Sequence, residues 1–158
     1  MRKIKYRAYA KEYNKIVQVD RLGLNSDGSV QEILFSYKEL GEDSNEWTDL
    51  QAGQFELLEF TGQYDIESKE IYSGYIVRFT VPNPTGYESY DGEWVDTTEE
   101  EPCGEVVFKD GCYCVKYPNG ELLPFNTPTS EANKAPIIKM FEVLGNVYEN
   151  KELLEKEN

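Results

Sequence analysis

Two dipeptides constrain this chain more than any other feature. Asp110-Gly111 and Asn119-Gly120 each sit between short stretches of alternating apolar residues. Asp-Gly and Asn-Gly accept positive φ at the centre of a two-residue hairpin turn, the geometry that preserves the right-handed twist of the flanking strands. A turn at Asp110-Gly111 sets Phe108 opposite Tyr113, Val106 opposite Val115 and Glu105 opposite Lys116, the last a favourable cross-strand charge pair. A turn at Asn119-Gly120 sets Tyr117 opposite Leu122. Val106, Phe108, Tyr113, Val115, Tyr117 and Leu122 then share one face, with Val107, Cys112 and Cys114 on the other. Two independent turns that agree on one apolar face predict a three-stranded meander over about 104–125.

The rest of the chain reads the same way. From Met1 to Tyr9, Ile4, Tyr6 and Ala8 alternate with Lys3, Lys5 and Arg7, the period of a half-buried strand. Asn14 marks a turn into a second strand carrying Ile16, Val17 and Val19. Asn25 to Gly28 is a turn before a strand over Val30–Tyr37. Its Asn-x-Asp-Gly pattern is not a calcium loop, because Gly23 and Leu34 stand where the first and last carboxylates are needed. Residues 40–54 read as a loop, and Phe55–Phe60 as a strand ending at Thr61-Gly62. Glu70–Val81 is an apolar run in which Gly74 predicts a bulge or sharp bend. Ile137–Val143 reads as a strand, and Asn150 as the N-cap of a short C-terminal helix carrying Leu153 and Leu154. The chain, 158 residues with 13% aromatics and twelve tyrosines, is expected to form one all-β domain over 1–158.

One segment departs from this pattern. Pro82, Pro84, Gly86, Gly92 and Pro102 interrupt residues 82–102, which read as a long acidic loop. Between Gly86 and Glu101 stand seven carboxylates and no cation: Glu88, Asp91, Glu93, Asp96, Glu99, Glu100 and Glu101. Tyr87, Tyr90 and Trp94 are interleaved with them. Aromatic anchors among steering carboxylates suit recognition of a basic protein surface. The competing reading has the aromatics packed on the outside of the body, pinning the loop. The candidate binding residues are Tyr87, Tyr90, Trp94, Asp96, Glu99, Glu100 and Glu101.

Charge and cysteine content exclude several classes of function. Residues 1–16 hold six cations against Glu12 alone, +5, which leaves −19 for the rest of a chain at −14. Four of those cations, Arg2, Lys3, Lys5 and Arg7, suit either contact with phosphates or neutralisation of acidic sheet neighbours; the net charge disfavours direct nucleic-acid binding. The chain has no histidine, so Ser-His and Cys-His nucleophile systems are ruled out. Three cysteines without histidine do not complete a tetrahedral zinc site within one chain, and no cofactor is expected. Cys112 and Cys114, two apart on a strand, have Cα atoms roughly 6–7 Å apart, at the limit of disulfide reach. They read as structural thiols of a reducing compartment. No apolar run approaches the roughly 20 residues that span a bilayer, and the basic N-terminus lacks the apolar stretch of a signal peptide.

Three stretches together resemble the YopX family, small proteins encoded mainly by bacteriophages and prophages. They are Met1-Arg2-Lys3-Ile4-Lys5-Tyr6-Arg7-Ala8-Tyr9; Phe60-Thr61-Gly62, Asp65 and Lys69 to Val77; and Gly145-Asn146-Val147-Tyr148-Glu149-Asn150 with Glu152-Leu153-Leu154. The chain departs from the family pattern at Tyr75, usually acidic, and at Lys151, often proline. The resemblance implies an all-β fold with a small SH3-like barrel, here elaborated with further antiparallel strands and one short C-terminal helix. It also implies a phage origin and action in the host cytoplasm. No reaction follows from it. The expected function is a non-catalytic protein-interaction module whose partner is a host or phage protein or a second copy of itself. The alternative is an acidic DNA mimic, or another protein of early phage nucleic-acid transactions.

Overall fold

The computed structural model describes residues 1–82, 85–130 and 134–155. The chain is mostly β, and every strand pairing among the described residues is antiparallel. It enters through β1 (Tyr6–Ala10), turns over Lys11–Tyr13 and Asn14, and returns as β2 (Lys15–Gln18). Next, β3 (Arg21–Leu24), β4 (Val30–Ser36) and β5 (Trp47–Gln51) form a three-stranded sheet of their own. The long β6 (Phe55–Tyr64) comes back to pair with β1, and β7 (Glu70–Tyr72) pairs with β6, completing a sheet in the order β2-β1-β6-β7. At Ser73-Gly74 the chain turns a corner into β8 (Tyr75–Phe79). A separate ribbon of β9 (Gly86–Glu88) and β10 (Trp94–Asp96) follows. Then β11 (Cys103–Lys109), β12 (Cys112–Lys116), β13 (Leu122–Pro124) and β14 (Phe141–Asn146) join β8 in the order β13-β12-β11-β8-β14. The one α-helix among the described residues is α1 (Glu152–Glu155).

The four-stranded sheet is buried on both faces, because successive side chains on a strand point to opposite sides. Ala8, Ala10, Val17 and Phe55 face one way, onto Ile33, Phe35 and Leu50 of the three-stranded sheet. Leu58 and Phe60 face the other way, onto Ile71, Val77, Val106, Val115 and Phe141. The four- and five-stranded sheets curl as a half-barrel around this second, larger core. Each large side chain buried this completely contributes about 1.5–3 kcal/mol.

The first predicted hairpin has the register read from its turn: Phe108 pairs with Tyr113, Val106 with Val115 and Glu105 with Lys116. Asp110 and Gly111 take φ of 51° and 85°. The second differs by one residue. Pro118, Asn119 and Gly120 form a three-residue loop in which Gly120 N donates to Tyr117 O, so Lys116, not Tyr117, pairs with Leu122. Pro118 favours a type I turn, and Gly120, at φ 90°, supplies the left-handed residue that closes it. The shift turns Leu122 away and brings Leu123 against the core. Phe108 stays 61% exposed at the tip, edge-on to Tyr113.

Four segments correct the sequence reading. The expected loop 40–54 contains β5, an edge strand whose only buried side chain is Leu50, too thin a pattern to see. β6 does not stop at Thr61-Gly62; it runs to Tyr64 through a bulge at Gly62, φ 82°. Ile137–Met140 is a 3-10 turn that seats Ile138 in the core, and β14 starts only at Phe141. The acidic stretch 82–102 is not an irregular loop: residues 86–96 form the β9–β10 hairpin, while Pro84 lies outside the described residues.

The basic N-terminus belongs to the body. Lys5 O accepts a bond from Phe60 N, and Arg2, Lys5 and Lys11 pair with Glu59, Glu70 and Glu56. Ile4, expected on the apolar face, is exposed because the strand starts two residues later. Of the thiols, Cys103 and Cys114 are buried and Cys112 is half-buried; the Cys112 and Cys114 sulfurs lie 3.7 Å apart. Burial, then its neighbour Cys112, pushes the Cys114 thiol above its ordinary range. Asn150 does not cap α1 with its side chain; its Oδ1 accepts from Asn146 N instead.

Candidate functional site

The β9–β10 hairpin carries all the candidate binding residues read from the sequence except Glu99, Glu100 and Glu101, which follow it. Its turn is local chemistry: Gly92 at φ 79° donates from N to Ser89 O at 2.9 Å, and Ser89 N donates to Glu93 O at 2.7 Å. Thr85 and Thr98 close its base, with Thr85 N donating to Thr98 Oγ1 at 2.7 Å and Thr97 N to Thr85 O at 2.8 Å. These bonds hold the ribbon although its carboxylates repel, because the side chains project into water, where the repulsion is screened.

The hairpin does not gather its aromatics on one face. Tyr87 pairs with Val95 across the ribbon, while Trp94 pairs with Glu88 on the opposite face, and Tyr90 sits in the turn. The Trp94 ring lies over Gly86, where a Cβ would come within 2.6 Å of it. All three aromatics are exposed, at 58% for Tyr87, 104% for Tyr90 and 62% for Trp94. Asp96 Oδ1 accepts from Thr98 N at 2.8 Å, and the Thr98 hydroxyl, helped by that backbone bond, holds its carboxyl below the usual range. Glu100 reaches Arg78 at 3.6 Å, and Glu99, Glu100 and Glu101 rim a shallow recess with Arg78 and Val81.

A second site was not legible as a site. The stretches that carry the YopX resemblance come together at the β7–β8 corner. Arg7 of β1 donates from Nη1 to Tyr75 Oη at 2.6 Å, and its guanidinium lies 5.0 Å from the centre of the Tyr72 ring. Glu70 is occupied on both oxygens, by Lys5 Nζ and by the Tyr72 hydroxyl at 2.8 Å. The bond from Lys5 holds the Glu70 carboxyl below its ordinary range, while burial raises both tyrosine hydroxyls. Asp65, almost fully buried, accepts from Glu67 N and Lys69 N at 2.8 Å on one oxygen and from Val143 N at 3.0 Å on the other. Asn146 Oδ1 accepts from Tyr148 N and Glu149 N, and Val147 N donates to Gly74 O. Tyr148 stacks on Tyr9 at 4.7 Å. An extra residue in β14, Leu144, bulges between Val143 and Gly145. Between this bulge and Arg7, Lys69, Glu70 and Tyr75 opens a cleft of about 500 Å³.

The family model of the YopX protein matches residues 5–155. The chain belongs to the YopX family. All three sheets, the acidic hairpin and the β7–β8 corner of this YopX protein lie inside the matched span. Among solved structures, the protein EF1440 from Enterococcus faecalis is similar in fold, with a TM-score of 0.56 and 14% identity over 98% of this chain and 99% of that one. Among curated proteins, none matches the chain. The corner cleft escaped the sequence reading because its walls come from β1, β7–β8 and β14, more than a hundred residues apart. The resemblance, whose three stretches meet there, is the signal in the sequence that touches this place, although it names no cleft.

Proposed function

We propose that this YopX protein is a non-catalytic interaction module of bacteriophage origin, acting in the host cytoplasm, whose acidic hairpin docks on a basic protein surface. The observation that carries this reading is the exposure of Tyr87, Tyr90 and Trp94 on a ribbon rich in carboxylates. Among the described residues, the single ion pair made by residues 86–101 is Glu100 with Arg78. The remaining carboxylates are therefore available to steer a basic partner, and the rings to be desolvated by it. The absence of histidine from the sequence leaves no Ser-His or Cys-His nucleophile pair. Among the described residues no helix is long and apolar enough to cross a membrane. The phage origin and the host cytoplasm rest on the family resemblance.

The test uses the full chain as bait in host lysate, followed by kinetics on the protein captured. Association should slow steeply as salt rises past about 0.1–0.15 M, where the Debye length falls to roughly 8–10 Å. Trp94→Ala should raise the dissociation rate by about tenfold or more with little change in association. An association rate indifferent to salt, with dissociation unchanged in Trp94→Ala, would contradict the proposal. Competition by duplex DNA for the captured protein would favour the DNA-mimic alternative.

A further inference from the structure

Among the described residues, the Arg7 cation in the corner cleft makes no ion pair of its own, although the carboxylate of Glu70 lines the same cleft and feels its charge. The chain has 30 carboxylates against 16 cations, yet among the described residues none lies within 4.0 Å of the Arg7 guanidinium. Half-buried charge of this kind is costly unless something pairs with it. The carboxylate best placed to do so, Glu70, is already held by Lys5 and by the Tyr72 hydroxyl. Arg7 is meanwhile held at two points, with Nη1 on the Tyr75 hydroxyl and Cζ over the Tyr72 ring. A guanidinium has five donors in a rigid fork, and among the described residues one of them is engaged, by Tyr75.

The other wall supplies what a ligand needs beyond a charge. Lys69 lines the cleft, and its pairing with Glu67 is solvent-exposed, so exchange for a bound anion costs little. Val143 and Leu144 give an apolar flank, and the Leu144 bulge aims this flank across the cleft. Gly145 is confined: a Cβ there would meet Asn150 Oδ1 at 2.3 Å, so the bulge is held from behind. A cleft of about 500 Å³ is in the range of small-molecule sites and too small for a duplex.

We propose that this cleft binds a small oxyanion with an apolar body, a carboxylate or a phosphate monoester, gripped by the Arg7 fork with Lys69 as the second cation. The site is separate from the acidic hairpin and does not depend on the hairpin's role. Planar bidentate recognition explains why the position is arginine and why the Tyr75 hydroxyl and the Tyr72 ring lock it.

The test is titration of the full-length protein, uniformly labelled with nitrogen-15, with phenyl phosphate, benzoate and inorganic phosphate. The amide resonances of Leu144, Gly145 and Asn146 report on the cleft. At least one organic anion should shift them saturably below about 10 mM and bind more tightly than inorganic phosphate. Tighter binding of phenyl phosphate identifies a phosphate monoester as the natural chemistry, and of benzoate a carboxylate. Arg7→Gln should weaken binding by about tenfold or more, and Arg7→Lys should fail to restore it, because the charge remains but the fork is lost. Leu144→Trp, which leaves Arg7 in place and fills the cleft, should also abolish it and covers the case in which Arg7→Gln does not fold. No saturation with any of the three anions, or binding that survives Leu144→Trp, overturns the proposal.

Discussion

Asp65 is the residue whose replacement should reveal most about how the four- and five-stranded sheets are held together around the larger core. Its carboxylate is 5% exposed and accepts three backbone N–H bonds, from Glu67, Lys69 and Val143. Two of these close the β6–β7 turn; the third ties that turn to β14, beside the bond from Ile66 N to Phe141 O. In Asp65→Asn the side chain keeps its shape but one oxygen becomes an NH2 group. Whichever way the amide turns, at least one buried N–H faces a donor, at a cost of about 1–3 kcal/mol, and the other bonds lose their charge assistance. The expected total is about 2–4 kcal/mol. For a domain of this size each kcal/mol moves the midpoint by about 2–4 °C, so thermal unfolding should occur roughly 5–15 °C lower. Calorimetry at neutral pH, with urea unfolding as a second probe, measures it. A fall of less than about 2 °C would show that water replaces the lost acceptor and that the Asp65 latch does not hold β14.

Other expectations follow from the same contacts. Because Lys5 and Tyr72 hold the Glu70 carboxyl below its unfolded value, its stabilisation is present above that value, about pH 4.3, and is lost as pH falls through the folded one. Glu70→Gln should therefore flatten the acid limb of a stability-against-pH curve below about pH 5; an unchanged limb refutes the assignment. Cys114→Ser, which puts a hydroxyl where a thiol is 3% exposed, should cost about 1–3 kcal/mol in urea unfolding, while Cys112→Ser should stay within about 0.5 kcal/mol. Equal costs would contradict the difference in burial.

What was readable in the sequence was readable where one local rule decided the outcome. Asp110-Gly111 is such a place: two positive φ angles set the register of β11 and β12, and the pairs came out as expected. At Asn119-Gly120 the same rule met Pro118, whose preference for a type I turn added a residue and moved Leu122 out of the core face. β5 was missed because a strand that buries only Leu50 has almost no periodicity to read. The acidic stretch was read as irregular because proline, glycine and like charge outweighed the short Ser89–Gly92 turn signal. That stretch also shows the limit for sites: its residues are neighbours in sequence and so could be named in advance. Arg7, Tyr75 and Leu144 could not, since only the pairing of β1 with β6 and of β8 with β14 brings them together.

The claim that the hairpin is a separable binding element is tested most directly by removing it. Residues 82–102 are replaced by a short Gly-Ser bridge between β8 and β11, and thermal unfolding and partner capture are measured on the same preparation. The account predicts a midpoint within a few degrees of the full chain, because the exposed rings of Tyr87, Tyr90 and Trp94 contribute little to either core, together with loss of the partner. A shortened protein that still captures the same partner would contradict it.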